Sequence, residues 1–209
     1  MVIHNIKTGD WKENCFIVDD EKNRALIIDP GDNFDEISSF LEDRKLTPVA
    51  IINTHGHFDH VGAIAPLQKK YLIKFFMHKK DLSLLKRANL YKTAFQGKGS
   101  IVIPTIDDLI DDETHNLKLG DFELIIHHTP GHTNGGICIQ IENYLFTGDT
   151  ILNGNLIPKK LPEENQSLLF KSFQYLRSLD PTIINLPGHG KQTELGPQVE
   201  HLLTNWTDK

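Results

Sequence analysis

Apolar and polar residues alternate in short runs along the first third of the chain. Residues 2–7, 15–19 and 25–29 read as strands separated by polar breaks. Asp29-Pro30-Gly31-Asp32 is a turn signal. Beyond it Phe34, Ile37, Phe40 and Leu41 recur at helical spacing, with Asp32 or Asn33 placed to cap the helix and Thr47-Pro48 to end it. Residues 49–52 form a continuous apolar run suited to a buried strand. A polar loop over 54–59 follows, and Val61, Ile64 and Leu67 resume helical spacing. Residues 73–77 predict a strand and 80–87 a helix. Residues 89–120 carry no clear period; Gly97-Lys98-Gly99 and the acidic run 107–113 are expected as exposed loop, the latter as solvated surface. In the second half, 122–127, 137–141, 144–147 and 182–186 read as strands, and Leu169, Phe173 and Leu176 mark a helix before a closing helix over 195–206. Strands alternating with helices in both halves predict an α/β layered domain, with helices on the outer faces of sheets.

Composition narrows the class. The 209 residues, 39% hydrophobic and 24% charged, suit a single domain over 1–209 with a sizeable core. A formal net charge of -6 with no basic stripe argues against a nucleic-acid partner. No apolar run reaches the length that spans a bilayer, and Met1-Val2-Ile3-His4 does not begin a signal peptide, so a cytoplasmic protein without a membrane partner is expected. Cys15 and Cys138 sit inside apolar runs and are expected to be reduced core thiols, since neither belongs to a CxxC pair.

Candidate chemistry is concentrated in Thr54-His55-Gly56-His57-Phe58-Asp59-His60, on a loop just past a predicted strand. Such loops are where α/β proteins place ligand sites. In extended backbone, residues two apart share a side, so His55 and His57 can chelate one cation together. Asp59 and His60, at the turn into the helix, are displaced toward a second, and Gly56 is expected to let the backbone bend close to the metal. Three later segments repeat the setting: Thr129-Pro130-Gly131-His132-Thr133, Phe146-Thr147-Gly148-Asp149-Thr150 and Leu186-Pro187-Gly188-His189-Gly190. Each offers a metal-capable side chain beyond an apolar run and beside glycine, where the backbone can approach an ion while staying rigid. His127 and His128 precede one of these turns and face opposite ways in a strand, one expected near the ligands and one on the surface. His4, His78, His115 and His201 belong to no motif.

The order HxHxDH, Pro-Gly-His-Thr, Thr-Gly-Asp and Gly-His-Gly resembles the metallo-β-lactamase superfamily over the length of the chain. The resemblance implies a four-layered αββα sandwich with the site at one edge. It implies that His55, His57 and His132 bind one ion, that Asp59, His60 and His189 bind the other, and that Asp149 bridges them. Asp149 and Asp59 are then the catalytic candidates that orient the nucleophile. The cofactor expectation is two divalent ions, zinc first and iron or manganese next, since imidazoles and carboxylates with no thiolate suit all three. A water shared by such a pair is acidified to a pKa of roughly 7.

Within the superfamily, Asp149 departs from the true β-lactamases, and Thr150-Ile151-Leu152 lacks the Tyr that usually follows the bridging Asp in lactonases of signalling lactones. Asp-Pro-Gly, Thr-Pro-Gly-His-Thr and Phe-Thr-Gly-Asp-Thr are most similar to short glyoxalase II-like proteins, relatives of hydroxyacylglutathione hydrolases. The expected partner is therefore a small-molecule thioester such as S-lactoylglutathione. The alternatives are a mono-iron oxygenase resembling persulfide dioxygenases, or a lactone or other ester hydrolase. Two features depart from full-length glyoxalase II. The residues after His189 are too few for its added glutathione-binding helical region, and Asn153-Gly154-Asn155 stands where many relatives have Gly-x-Gly-Arg. Lys159 and Lys160 are expected as solvated surface lysines, with an anionic-substrate contact as the alternative.

Overall fold

The structure, a computed structural model, describes residues 1–97, 99–152 and 161–206. Lys159 and Lys160 lie outside the described residues. The first half of the chain forms one sheet whose strands lie side by side in chain order: β1 (Val2–Thr8), β2 (Glu13–Asp19), β3 (Arg24–Ile28), β4 (Thr47–Ile52), β5 (Lys74–His78) and β6 (Asp108–Ile110). β1 to β3 are antiparallel, and β3 to β6 run parallel. Parallel neighbours need crossovers, which are α1 (Phe34–Asp43), α2 (Ile64–Tyr71) and the pair α3 (Leu82–Lys86) and α4 (Ala88–Gln96). The second half supplies β7 (Asn116–Leu119), β8 (Phe122–His128), β9 (Ile137–Ile141), β10 (Tyr144–Gly148), α5 (Gln166–Leu176), β11 (Ile184–Pro187), β12 (Thr193–Glu194) and α6 (Leu195–Thr204). Its strands again follow chain order, and only β10 and β11, which α5 connects, are parallel.

Alternation along each strand builds the layers. In β2, Phe16 and Val18 point toward the second sheet, where they join Leu26, Ile28, Ile52, Ile126, Ile139 and Phe146. Cys15 and Ile17 point the other way, into a cluster with Ile37, Leu41, Ile64 and Leu67 of α1 and α2. Cys138 and Leu145 meet Leu169, Phe173 and Val199 of α5 and α6 on the outer face of the second sheet. Two sheets face to face, each covered by helices, make the αββα sandwich. Both faces of the central strands are therefore dry, and their sequences read as apolar runs. Both cysteines are buried and free, as expected. Among the described residues no helix is long and apolar enough to cross a membrane.

The structure corrects several sequence expectations. Asn33 stands at the N-terminus of α1 in a left-handed conformation without a side-chain cap. Its carbonyl accepts the first amides of the helix, and its side chain serves Gly9 instead. Thr47-Pro48 does not end α1, which stops at Asp43; the pair opens β4. Residues 89–120, which show no clear period, hold most of α4 and all of β7, and β6 lies within the acidic run where exposed loop was expected. Nor is the acidic run only solvated surface. Asp107 accepts the Phe75 amide at 2.9 Å, β6 forms the sheet edge, and Ile110 is buried.

Candidate metal centre

Every predicted ligand stands just past the C-terminal end of a strand: the His55–His60 loop after β4, His132 after β8, Asp149 after β10 and His189 after β11. Strands of both sheets thus deliver side chains to one edge of the sandwich. The donor atoms of His55, His57 and His132 lie within 4.8 Å of one another, and so do those of Asp59, His60 and His189. Asp149 reaches both groups. Its carboxylate is 3.7 Å from His132 Nε2, 3.5 Å from His60 Nε2 and 3.8 Å from His189 Nε2.

Hydrogen bonds around the cluster fix which ring nitrogen faces inward. Thr54 Oγ1 donates to Asp29 Oδ2 at 2.5 Å, so it accepts from His55 Nδ1 at 3.0 Å. His60 Nδ1 donates to Asp29 at 3.1 Å. His57 Nε2 donates to Glu163 at 2.5 Å, and Tyr91 donates to the other Glu163 oxygen at 2.6 Å. His189 Nδ1 donates to the Trp11 carbonyl at 3.2 Å. In each of these rings the outward nitrogen carries the proton and the other is offered to the cluster. Of the offered atoms, buried His55 Nε2 and His60 Nε2 have no hydrogen bond, and neither has Asp149 Oδ1. His57 Nδ1 faces His132 Nε2 at 3.0 Å and His189 Nε2 faces Asp59 Oδ2 at 3.2 Å, within the cluster itself. Buried polar atoms of native proteins are normally satisfied. A His/Asp donor set with unpaired buried atoms converging fits divalent cations of the zinc, iron or manganese type.

The titration behaviour of the residues agrees. Burial, with the neighbouring imidazoles, holds His55 well below its ordinary value and His132 at about 4. Burial opposes ionisation of Asp149, but His60 and His189 outweigh it and hold the carboxylate well below its ordinary range. In His60 burial is overcome by Asp59 and Asp149, which raise it. Glu163 is held at about 2, because the hydrogen bonds from His57 and Tyr91 outweigh its partial burial.

Backbone placement depends on glycine at two points. A Cβ on Gly188 would stand 2.4 Å from Asp149 Oδ1 and 2.7 Å from His60 Cε1. Gly148 has φ +49°, and a Cβ there would stand 2.2 Å from Thr54 Oγ1. Gly56 has a different role from the one expected: its close neighbours are Asp81 and Met77, and its amide donates to Asp81 at 3.0 Å. Asp81 also accepts from Gly135 and Thr133, so one buried carboxylate ties the His55–His60 loop to the His132 turn. One of His127 and His128 was expected near the ligands, but His127 contacts Tyr175 and Gln140, and His128 contacts the Asn134 carbonyl and the His78 ring.

A cleft of about 790 Å³ opens onto the cluster. Trp11, Phe58, Tyr91 and Phe95 form one wall, and Lys7, Lys12 and Lys191 line the cleft beside His189. Trp11 lies edge-on to Phe58 at 5.0 Å and to Phe95 at 5.9 Å. Glu163, Asp81, Tyr91 and Trp11 were not singled out from the sequence, because each reaches the site from a distant segment with no local motif. Asp29 was visible only as part of a turn signal.

The metallo-beta-lactamase superfamily profile matches residues 8–189. The hydroxyacylglutathione hydrolase GloC of Haemophilus influenzae is 30% identical, covering 95% of each chain. The crystal structure of TTHA1623 in a di-iron-bound form superposes with a TM-score of 0.82 at 32% identity, covering 92% of this chain and 95% of that one. That of the B3 metallo-beta-lactamase BLEG-1 superposes at 0.90 with 28% identity, covering 98% and 100%.

Proposed function

Because the chain belongs to the metallo-beta-lactamase superfamily of metal-dependent hydrolases, we propose that it is a binuclear thioester hydrolase, close in chemistry to hydroxyacylglutathione hydrolases. His55, His57 and His132 would hold one cation, Asp59, His60 and His189 the other, and Asp149 both. The observation that carries this reading is the set of four inward-facing ring nitrogens, of His55, His57, His60 and His189, each selected by an outward hydrogen bond, with those of His55 and His60 left unpaired beside Asp149. Two bound divalent cations supply acidification of a water and polarisation of the scissile carbonyl.

The remaining work falls to the protein's own residues. Asp59 and Asp149 stay ionised at neutral pH and can orient the attacking water by accepting its hydrogen bonds. Asp29 and Glu163 hold His60 and His57 in the tautomers that face inward. The aromatic wall excludes water from one side of the cleft and offers an apolar surface to an acyl group. The exposed Lys12 and Lys191 supply positive charge for an anionic thiol carrier. A thioester suits such a site because its thiolate leaves without strong protonation. Zinc is the proposed metal, and GloC supports the choice of substrate by likeness.

Metal-replete protein assayed on S-lactoylglutathione, a lactone, a phosphodiester, a β-lactam and glutathione persulfide tests the reading. The thioester is expected to show the highest kcat/KM. Hydrolysis of only the phosphodiester or β-lactam would overturn the substrate class. Oxygen uptake with the persulfide and one iron per chain would overturn hydrolysis itself.

A further inference from the structure

A second convergence of imidazoles and a carboxylate lies outside the cleft. His78 ends β5, His128 ends β8 and Asp112 follows β6, so the cluster joins the two sheets. The rings of His78 and His128 stack with centroids 4.4 Å apart and planes 10° from parallel. Asp112 Oδ1 lies 3.2 Å from His78 Nε2 and 3.5 Å from His128 Nδ1. One donor atom from each residue falls within 4.8 Å of the others.

Hydrogen bonding around the cluster leaves buried His78 Nε2 without a partner, while the Lys80 ammonium pairs with Asp112. His128 Nε2 meets the Asn134 carbonyl at 3.1 Å. A carbonyl only accepts, so the proton of neutral His128 sits on Nε2, and Nδ1 presents a bare lone pair toward a carboxylate. The His78 side chain is 1% exposed, and its Nε2 has no hydrogen-bond partner. Burial and the neighbouring His128 hold His78 down at about 4, so its ring is neutral at neutral pH. Lys80 contacts the other oxygen of Asp112, at 2.6 Å, and leaves Oδ1 to the histidines.

We propose that His78, Asp112 and His128 bind a further divalent transition-metal ion, of the zinc, copper or nickel class, separate from the cleft. Two imidazoles and one carboxylate match the preferences of those ions. Asp112 is 44% exposed, which gives the ion an entry path and room for water as remaining ligands. Ligation at His78 Nε2 places that ring's proton on Nδ1, where the Lys80 amide now donates at 3.3 Å. That long contact is lost on binding, so this site is weaker than the cleft and fills after it. Its position suggests a brace. His78 leads into the turn that carries Asp81, and His128 leads into the turn that carries His132. An ion here ties together two segments that also shape the cleft, and is expected to stabilise the fold without entering the reaction.

Metal-free protein equilibrated across a series of buffered zinc concentrations, with zinc per chain read by elemental analysis, tests the site. Wild type is expected to bind one more equivalent than Asp112→Asn or His128→Gln, at higher free zinc than the cleft requires, while both variants keep wild-type hydrolysis. In an Asp149→Asn background, which disables the cleft, the extra equivalent is expected to persist and to vanish on adding Asp112→Asn. This arm separates failure of the new site from failure of the catalytic reading. A copper(II) spectrum of the Asp149→Asn protein is expected to show coupling to imidazole nitrogens that Asp112→Asn weakens. Equal zinc content in wild type, Asp112→Asn and His128→Gln would overturn the proposal.

Discussion

Glu163 meets His57 Nε2 at 2.5 Å and takes a second hydrogen bond from Tyr91. Its pairing shows how single residues outside the ligand set decide what the ligands do. Replacing Glu163 by Gln removes the charge but keeps an acceptor, and the account predicts about ten- to hundredfold weaker metal binding, the usual cost of losing an outer partner of a metal-bound His. Asp149→Ala should be far more severe, abolishing hydrolysis and lowering metal content, because its carboxylate reaches both donor groups. Acidity acts on the same residues. In the metal-free site His60 is raised above its ordinary value, since Asp59 and Asp149 outweigh its burial, so it carries a proton that a cation must displace. Affinity for zinc is therefore expected to rise with pH and to fall on acidification, by about tenfold per pH unit for each proton released. Competition titrations at a series of pH values read that slope directly, and a flat profile would show that His60 carries no extra proton in the metal-free site. At this scale the sequence was informative for HxHxDH, His132, Asp149 and His189, because each stands beside glycine at a strand end. It was silent on Glu163 and Asp81, whose roles exist only once distant segments meet.

Among the elements, the cleft owes its shape to the turn between β1 and β2 and to α4. Trp11 and Lys12 come from the turn, and Tyr91 and Phe95 from the helix. α4 was illegible in the sequence for a physical reason. It buries only Ala88 and Tyr91, while Leu90 is 65% and Phe95 42% exposed, so its apolar residues trace no single core-facing stripe. β6 and β7 are short edge strands with little alternation to read. The central strands were legible because both their faces are buried. Function at this scale is testable by charge. Lys12→Glu combined with Lys191→Glu is expected to raise KM for an anionic thioester several-fold and to leave kcat and the KM of a neutral thioester unchanged. The effect should shrink as salt is added, since both groups are exposed and screened. Equal changes for neutral and anionic substrates would place the anion-binding surface elsewhere.

For the whole molecule, strands of both sheets contribute to one edge, so the cation site and the sandwich core depend on each other. Chelation is expected to lower the melting temperature in proportion to the binding free energy lost, read by calorimetry with and without chelator. Phe146 lies between the sheets, fully buried against Phe16, two residues from Gly148 and three from Asp149. Phe146→Ala should cost about 3–5 kcal/mol by leaving a cavity at that interface, measured by denaturant titration. The layered fold was readable in the sequence because strand and helix periods alternate, whereas the order of strands in each sheet was not, since pairing is a property of the assembled chain. The most direct test of the central claim is an anomalous-scattering map from crystals of the zinc-loaded protein. The account predicts two peaks in the cleft, one among His55, His57 and His132 and one among Asp59, His60 and His189, with Asp149 between them. A map with no density between those side chains at full zinc loading would contradict it.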